Sequence, residues 1–383
     1  MSALSRRSAL LLGLSTPAFL AACATTPPMS PPDPTGMADP EMRALLASLA
    51  SLGPKPLEGL TPAEARRQPG LADATLNLLR QQNKPTTPRA VPLVKDVTIP
   101  GPGGPLQARV YSSAHIPEMP GQAPLPLIVY FHGGGWVIST IDTYDTSARA
   151  LSLDAGAVVV SVEYRKGPEN KFPAAHDDAY AAYVWAVQNA TTLGADPNRV
   201  AIVGESAGGN LAIATALSAK AGGAPMPQAL ALVYPVAGTD TATPSYTQFA
   251  NAKPLSRPAV LWFVGQYTNG GSDLQDPRLN VYGAADLRGL PRTIIVNAEI
   301  DPLADDGARL EQKLQQAGVS VTRRVYPGVT HEFFGADAVL SKAKDAQTFV
   351  AGELRAVFVN TPTPPLPAPR GRVRPVHPRR ATP

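Results

Sequence analysis

One cysteine, five histidines and a 6% share of aromatic residues are all that this chain of 383 residues offers of those types. A single cysteine, Cys23, allows no internal disulfide and no paired-cysteine zinc site. Long apolar runs are missing too. The stretch over residues 9–20 is broken by Pro17 and is too short to cross a bilayer comfortably. The glycine run at residues 133–135 has neither the Lys-Ser/Thr that follows a phosphate loop nor G-x-G-x-x-G spacing. Disulfide scaffolds, zinc ribbons, membrane-spanning bundles and nucleotide-phosphate loops are therefore not what this sequence encodes.

Proline, by contrast, is abundant: 42 residues, about twice the usual share. The prolines crowd the first hundred positions and the last twenty or so, which predicts extended ends around a compact middle. The formal charge is +4, yet residues 361–383 carry five arginines and no acid, and Arg6 and Arg7 add two more cations. The body between these ends is therefore mildly acidic. The tail's arginines could meet phosphate or lipid headgroups, but a solvated, disordered end is the simpler expectation, and no nucleic-acid partner is expected.

The leader has a different character. Ser5-Arg6-Arg7 precedes the short apolar run, and Leu20-Ala21-Ala22-Cys23 closes it. This resembles a bacterial lipoprotein signal, with a partial twin-arginine start and Cys23 as the lipid-modified first residue; an ordinary secretory signal with an incidental cysteine is the alternative. The resemblance implies an export signal over residues 1–22, a Pro-rich tether over 23–40, and anchoring to a bacterial cell membrane on its extracytoplasmic face.

Residues 41–53 and 61–83 show helical spacing, the second with a Thr-x-x-Glu start. A hairpin pattern follows over residues 91–113. From Leu125 apolar strands alternate with helices: LPLIVYF, AVVVSVEY, RVAIVG, ALALVYP, TIIVNAE and VSVTRRVYP, separated for the most part by helical patterns. Six such strands and the hairpin predict an eight-stranded, mostly parallel sheet covered on both faces. Residues 239–290 interrupt the alternation and can join the N-terminal helices as a cap.

Within this frame VGESAGGN places Ser206 between the strand RVAIVG and a helix. A serine on such a turn projects its hydroxyl, and Gly204 and Gly208 relieve the crowding. Serine needs a base. Of His115, His132, His176, His331 and His377, only His331 follows a strand at its carboxyl end without another evident place, so elimination selects it. Asp301, directly after TIIVNAE, is better placed to orient it than Asp305 or Asp306, which open a helix. His132-Gly133-Gly134-Gly135, after LPLIVYF, supplies backbone N–H groups that can turn toward a ligand, as an oxyanion hole requires.

HGGGW, SVEYRKGPENKFPAAHDDAYAA, GESAGGN, EIDPLADDG and YPGVTHEFF, in this order, resemble the hormone-sensitive-lipase family of α/β-hydrolases, the bacterial family IV esterases. The resemblance spans residues 40–358. It implies an α/β-hydrolase domain over residues 41–360, with a cap from about 41–90 and 239–290. It further implies a triad of Ser206, Asp301 and His331, oxyanion donors at Gly134, Gly135 and Ala207, and hydrolysis of small carboxylic esters without cofactor or metal. The sequence departs from the family at three places. Glu205 stands where Asp is usual, Lys166-Gly167 replaces Leu-Ala, and Glu332 takes a position commonly held by Gly. An amidase or peptidase using the same triad, or a binding protein of the same fold, are the competing expectations. Oligomeric state is not legible.

Overall fold

The computed structural model describes residues 33–114 and 123–359. Cys23, the leader, His115 and the Arg/Pro-rich tail lie outside the described residues.

Eight strands form one sheet in the order β1-β2-β4-β3-β5-β6-β7-β8 among the described residues. They are β1 (Leu93–Ile99), β2 (Leu106–Ser112), β3 (Leu125–Phe131), β4 (Val158–Glu163), β5 (Ala195–Glu205), β6 (Ala229–Val233), β7 (Arg292–Ile300) and β8 (Val321–Thr330). The β1–β2 hairpin adds antiparallel to β4, and every pairing from β4 to β8 is parallel. The helices are α1 (Pro40–Ser51), α2 (Pro62–Ala65), α3 (Leu71–Gln81), α4 (Asp145–Ala155), α5 (Ala174–Gln188), α6 (Ala207–Gly222), α7 (Pro244–Gln248), α8 (Arg257–Tyr267), α9 (Val281–Ala284), α10 (Ala304–Gln316) and α11 (Ser341–Val359).

Alternating residues of the central strands serve opposite cores, as the two-residue period of a strand requires. Leu127, Val129 and Phe131 of β3 join the core on the side of α5, α6 and α10, whereas Ile128 and Tyr130 join the core on the side of α4 and α11. Both sets are completely buried. Parallel strands covered on both faces read as unbroken apolar runs, and β3, β4 and β6 do.

Three local features differ from the sequence reading. The helical stretch expected over residues 61–83 is two helices. The capping box of Thr61 and Glu64 starts α2, but Pro69-Gly70 stops propagation before α3 begins. Helix α4 is an additional crossover. Its buried side chains are Ala and Ser apart from Leu151, so the apolar signal is weak in size, and Gly156 at φ 66° ends it. The tether expected to reach residue 40 is already docked over residues 33–39. Pro34 and Ala38 are buried, the Asp39 N–H donates to the Gly328 carbonyl at 2.8 Å, and Asp39 pairs with Lys342 at 2.7 Å.

Residues of helices α1–α3, and of α7 and α8, come together with the loops after β3, β5 and β8. The two groups meet where Trp262 of α8 donates its indole N–H to the Leu60 carbonyl, at 3.2 Å. Beneath them lies a cavity of about 960 Å³, with Ser206 and His331 among the residues that line it.

Candidate active site

Strand β5 ends at Glu205 and α6 begins at Ala207, so Ser206 has to reverse the chain alone. It sits at φ 56°, ψ −119°, a strained conformation for a residue with a side chain. The strain is held by packing. The Ser206 N–H donates to the Val233 carbonyl at 2.9 Å, and the Ser206 carbonyl accepts from Val236 at 3.1 Å and Asn210 at 3.2 Å. The turn is so tight that a Cβ on Gly204 would collide with the Gly208 backbone, and one on Gly208 with the Phe131 and His132 carbonyls. Glycine at both positions is a packing requirement here, as G-x-S-x-G suggests.

Ser206, His331 and Asp301 come from three different strand ends and meet in one chain of hydrogen bonds. His331, directly after β8, places Nε2 2.9 Å from the Ser206 Oγ and Nδ1 2.7 Å from the Asp301 Oδ2. Asp301 follows β7, is fully buried, and is fixed by the Leu303 N–H on its other oxygen at 2.8 Å. The two rival acids are occupied elsewhere. Asp305 accepts from the Ser245 N–H, and Asp306 accepts from Ala237 at 2.8 Å and Gly238 at 3.2 Å. Burial pushes the Asp306 carboxyl up to about 7, against those two hydrogen bonds.

Burial disfavours the His331 imidazolium, but the Asp301 carboxylate opposes burial by charge and by hydrogen bond. With the charges of Glu332 and Glu205 added, the net shift is upward. Nδ1 facing a carboxylate carries the proton, which leaves Nε2 as the acceptor for the serine hydroxyl. The arrangement can move a proton from Ser206 to His331 and return it to a leaving group.

The other described histidines are structural. His132 Nδ1 lies 2.7 Å from the Gly133 carbonyl, and burial, with the nearby Lys166 charge, lowers its pKa to about 3. His176 bridges Tyr267 Oη at 2.8 Å and Asn210 Oδ1 at 2.9 Å, tying α5 to α8 and α6; burial lowers it to about 4.

Gly134 at φ 97° and Gly135 at φ 59° turn the loop after β3 beside the elbow. Among the described residues, none accepts a hydrogen bond from the amides of Gly134, Gly135 or Ala207. At the start of α6 such free N–H groups add the positive end of the helix dipole. A Cβ on Gly135 would strike the Phe263 ring, so α8 itself presses on this loop.

Sequence reasoning did not find the tyrosines below the site. Glu205 is completely buried and accepts from Tyr130 Oη at 2.6 Å and Tyr234 Oη at 2.5 Å. The Tyr234 ring is 4.5 Å from the His331 ring. Burial raises the Glu205 carboxyl, while the two phenols lower it. Glu332 adopts φ 65°, the left-handed region that glycine tolerates best, and accepts from Tyr144 Oη at 3.1 Å. Removing its charge with Glu332→Gln should lower the His331 pKa. Since only neutral His331 can accept the proton, the acidic limb of the kcat/KM profile is expected to move to lower pH. A kcat/KM–pH series on the two proteins measures this; an unmoved limb would mean the carboxylate does not act on the ring. Among the described residues there is no cluster of three or more His, Cys, Asp or Glu that could hold a metal ion.

A sequence model described as the alpha/beta hydrolase fold matches residues 128–335. Carboxylesterase NlhH of Mycobacterium tuberculosis is 43% identical over 227 residues, covering 58% of this chain and 70% of that protein. Esterase LipI of the same species is 38% identical over 267 residues, covering 69% and 82%. The solved structure of an esterase from Pyrobaculum calidifontis superposes with a TM-score of 0.73 at 34% identity, covering 83% of this chain and 98% of that one.

Proposed function

The chain belongs to the alpha/beta hydrolase fold family, and we propose that it hydrolyses short-chain carboxylic esters through an acyl-enzyme on Ser206. It is a carboxylic ester hydrolase, like the relatives that match it. The observation that carries the mechanism is the hydrogen-bonded chain Ser206–His331–Asp301, whose serine and histidine line a roofed cavity.

Ser206 Oγ attacks the ester carbonyl carbon as its proton passes to His331 Nε2. The carbonyl oxygen becomes an anion facing the amides of Gly134, Gly135 and Ala207. Collapse of the tetrahedral species breaks the bond to the alcohol, which takes the proton from His331. Water then repeats the sequence in reverse: it gives a proton to His331, adds to the acyl carbon, and releases the acid as Ser206 regains its proton. Asp301 keeps the imidazole in the working tautomer and opposes the positive charge that forms on it. The chemistry needs no group beyond these residues and water.

The cap closing over Ser206 favours acyl chains of roughly two to eight carbons over emulsified fats. A series of aryl esters from acetate to palmitate, kept soluble, tests this, with the butyryl anilide beside the butyryl ester. The expected result is a kcat/KM maximum among the short chains and little turnover of the anilide. Faster palmitate than butyrate hydrolysis overturns the chain-length assignment. Anilide turnover matching the ester would make the enzyme an amidase.

A further inference from the structure

Arg66 lies where α2 ends, in the N-terminal part of the cap, and its guanidinium reaches down into the body. Nε donates to the Val137 carbonyl at 2.9 Å. One terminal nitrogen donates to the Gly167 carbonyl at 2.7 Å and to Glu169 Oε2 at 2.6 Å, and the other to Glu169 Oε1 at 2.8 Å. Four of the five N–H donors of the fork are thereby used. The two carbonyls belong to segments that are themselves joined, since the Gly167 N–H donates to the Trp136 carbonyl at 2.9 Å. Val137 and Ile138 in turn donate to the Gly134 carbonyl at 3.0 and 2.9 Å. The turn that carries the Gly134 and Gly135 amides is thus gripped on its far side by one arginine, with Glu169 holding the fork flat. Among the described residues, no other arginine or lysine donates to a carbonyl of residues 133–138.

We propose that Arg66 is a positioning residue: it sets the Gly134–Gly135 amides at the distance the oxyanion needs, so that the N-terminal cap tunes the rate and does more than roof the substrate. The idea rests on the triad and oxyanion assignment above. Arg66 touches no reacting atom in this scheme. Its effect passes through Val137 and Gly167, and oxyanion stabilisation is steep in donor placement. A lysine cannot replace it, because one ammonium cannot serve the Val137 carbonyl, the Gly167 carbonyl and a bidentate carboxylate together.

The test uses the full chain as wild type, Arg66→Lys, Arg66→Gln and Glu169→Gln, with a fluorophosphonate to count reactive Ser206 in each preparation. Per titrated site, both Arg66 variants should lose kcat on a butyryl aryl ester by about 10- to 100-fold, with KM within about threefold. Inhibition by butylboronic acid, whose tetrahedral adduct sends an oxygen to the same amides, should weaken by a similar factor. A merely structural tie would lower the melting temperature and leave kcat and boronate inhibition per site unchanged, and that result overturns the proposal. Should the Arg66 variants not fold, Glu169→Gln decides. Its side chain is 57% exposed, and the same pattern at about three- to tenfold is expected; wild-type kcat and boronate affinity there also overturn the proposal. Failure of the wild type to label at Ser206 would instead refute the triad reading, a distinct outcome.

Discussion

Alanine at Ser206 or at His331 is expected to lower kcat by roughly five to six orders of magnitude, and the double variant should be little worse than either single one. In the proposed mechanism Ser206, His331 and Asp301 act as a unit, because each step needs all of them. Without Oγ there is no covalent intermediate, and without Nε2 the hydroxyl keeps its proton and remains a poor nucleophile. The residual rate over water should come from substrate binding and the backbone amides of Gly134, Gly135 and Ala207. Burst and steady-state kinetics on a butyryl aryl ester, with proteolytic mass mapping of a fluorophosphonate adduct, measure this. Either single variant retaining a tenth of wild-type turnover would remove Ser206 or His331 from the mechanism.

Asp301→Asn is expected to cost about four orders of magnitude in kcat while leaving the fold intact. The amide can keep its oxygen on the Leu303 N–H, which now binds Asp301 Oδ1 at 2.8 Å. That orientation turns an NH2 group toward His331 Nδ1, where a carboxylate oxygen now sits at 2.7 Å. The imidazole then carries its proton on Nε2 and donates to Ser206 when it should accept. Asp305 and Asp306 cannot substitute, since backbone N–H groups of residues 237, 238 and 245 already occupy them. An unchanged melting temperature together with the loss of turnover distinguishes this tautomer effect from unfolding. Near wild-type kcat would show that His331 needs no anionic partner.

Phenols and carboxylates surround His331, the base of the proposed mechanism. His331 faces Asp301, Glu332 and Glu205, and these anions together outweigh its burial. Glu205 is held by two tyrosines, one of which, Tyr234, lies with its ring tilted against His331. The Asp-to-Glu departure at residue 205 therefore keeps a carboxylate under the elbow. The Gly-to-Glu departure at residue 332 adds an acid beside the imidazole, at the expense of a left-handed backbone on a residue with a side chain.

Much of this protein could be read from its sequence because the relevant signals are local. Apolar runs of strand length alternate with helical patterns, so the eight strands and their mostly parallel pairing were legible before any coordinate. Ser206, Asp301 and His331 each follow a strand directly, and strands of a parallel sheet deliver their carboxyl ends to one edge. That rule brought together residues 125 and 30 positions apart in the chain. What the sequence left open depends on partners distant in the chain with no periodic signature. Tyr130 meets Glu205 across 75 positions, and Arg66 reaches Val137 across 71 and Gly167 across 101. The break between α2 and α3 and the docking of residues 33–39 were settled by competition between local helix propensity, proline and tertiary contacts. Periodicity and turn chemistry fix elements and their ends, because they act between neighbours. Which side chain grips which loop is decided only when the sheet's order and the packing of the helices over it bring remote atoms within hydrogen-bonding distance.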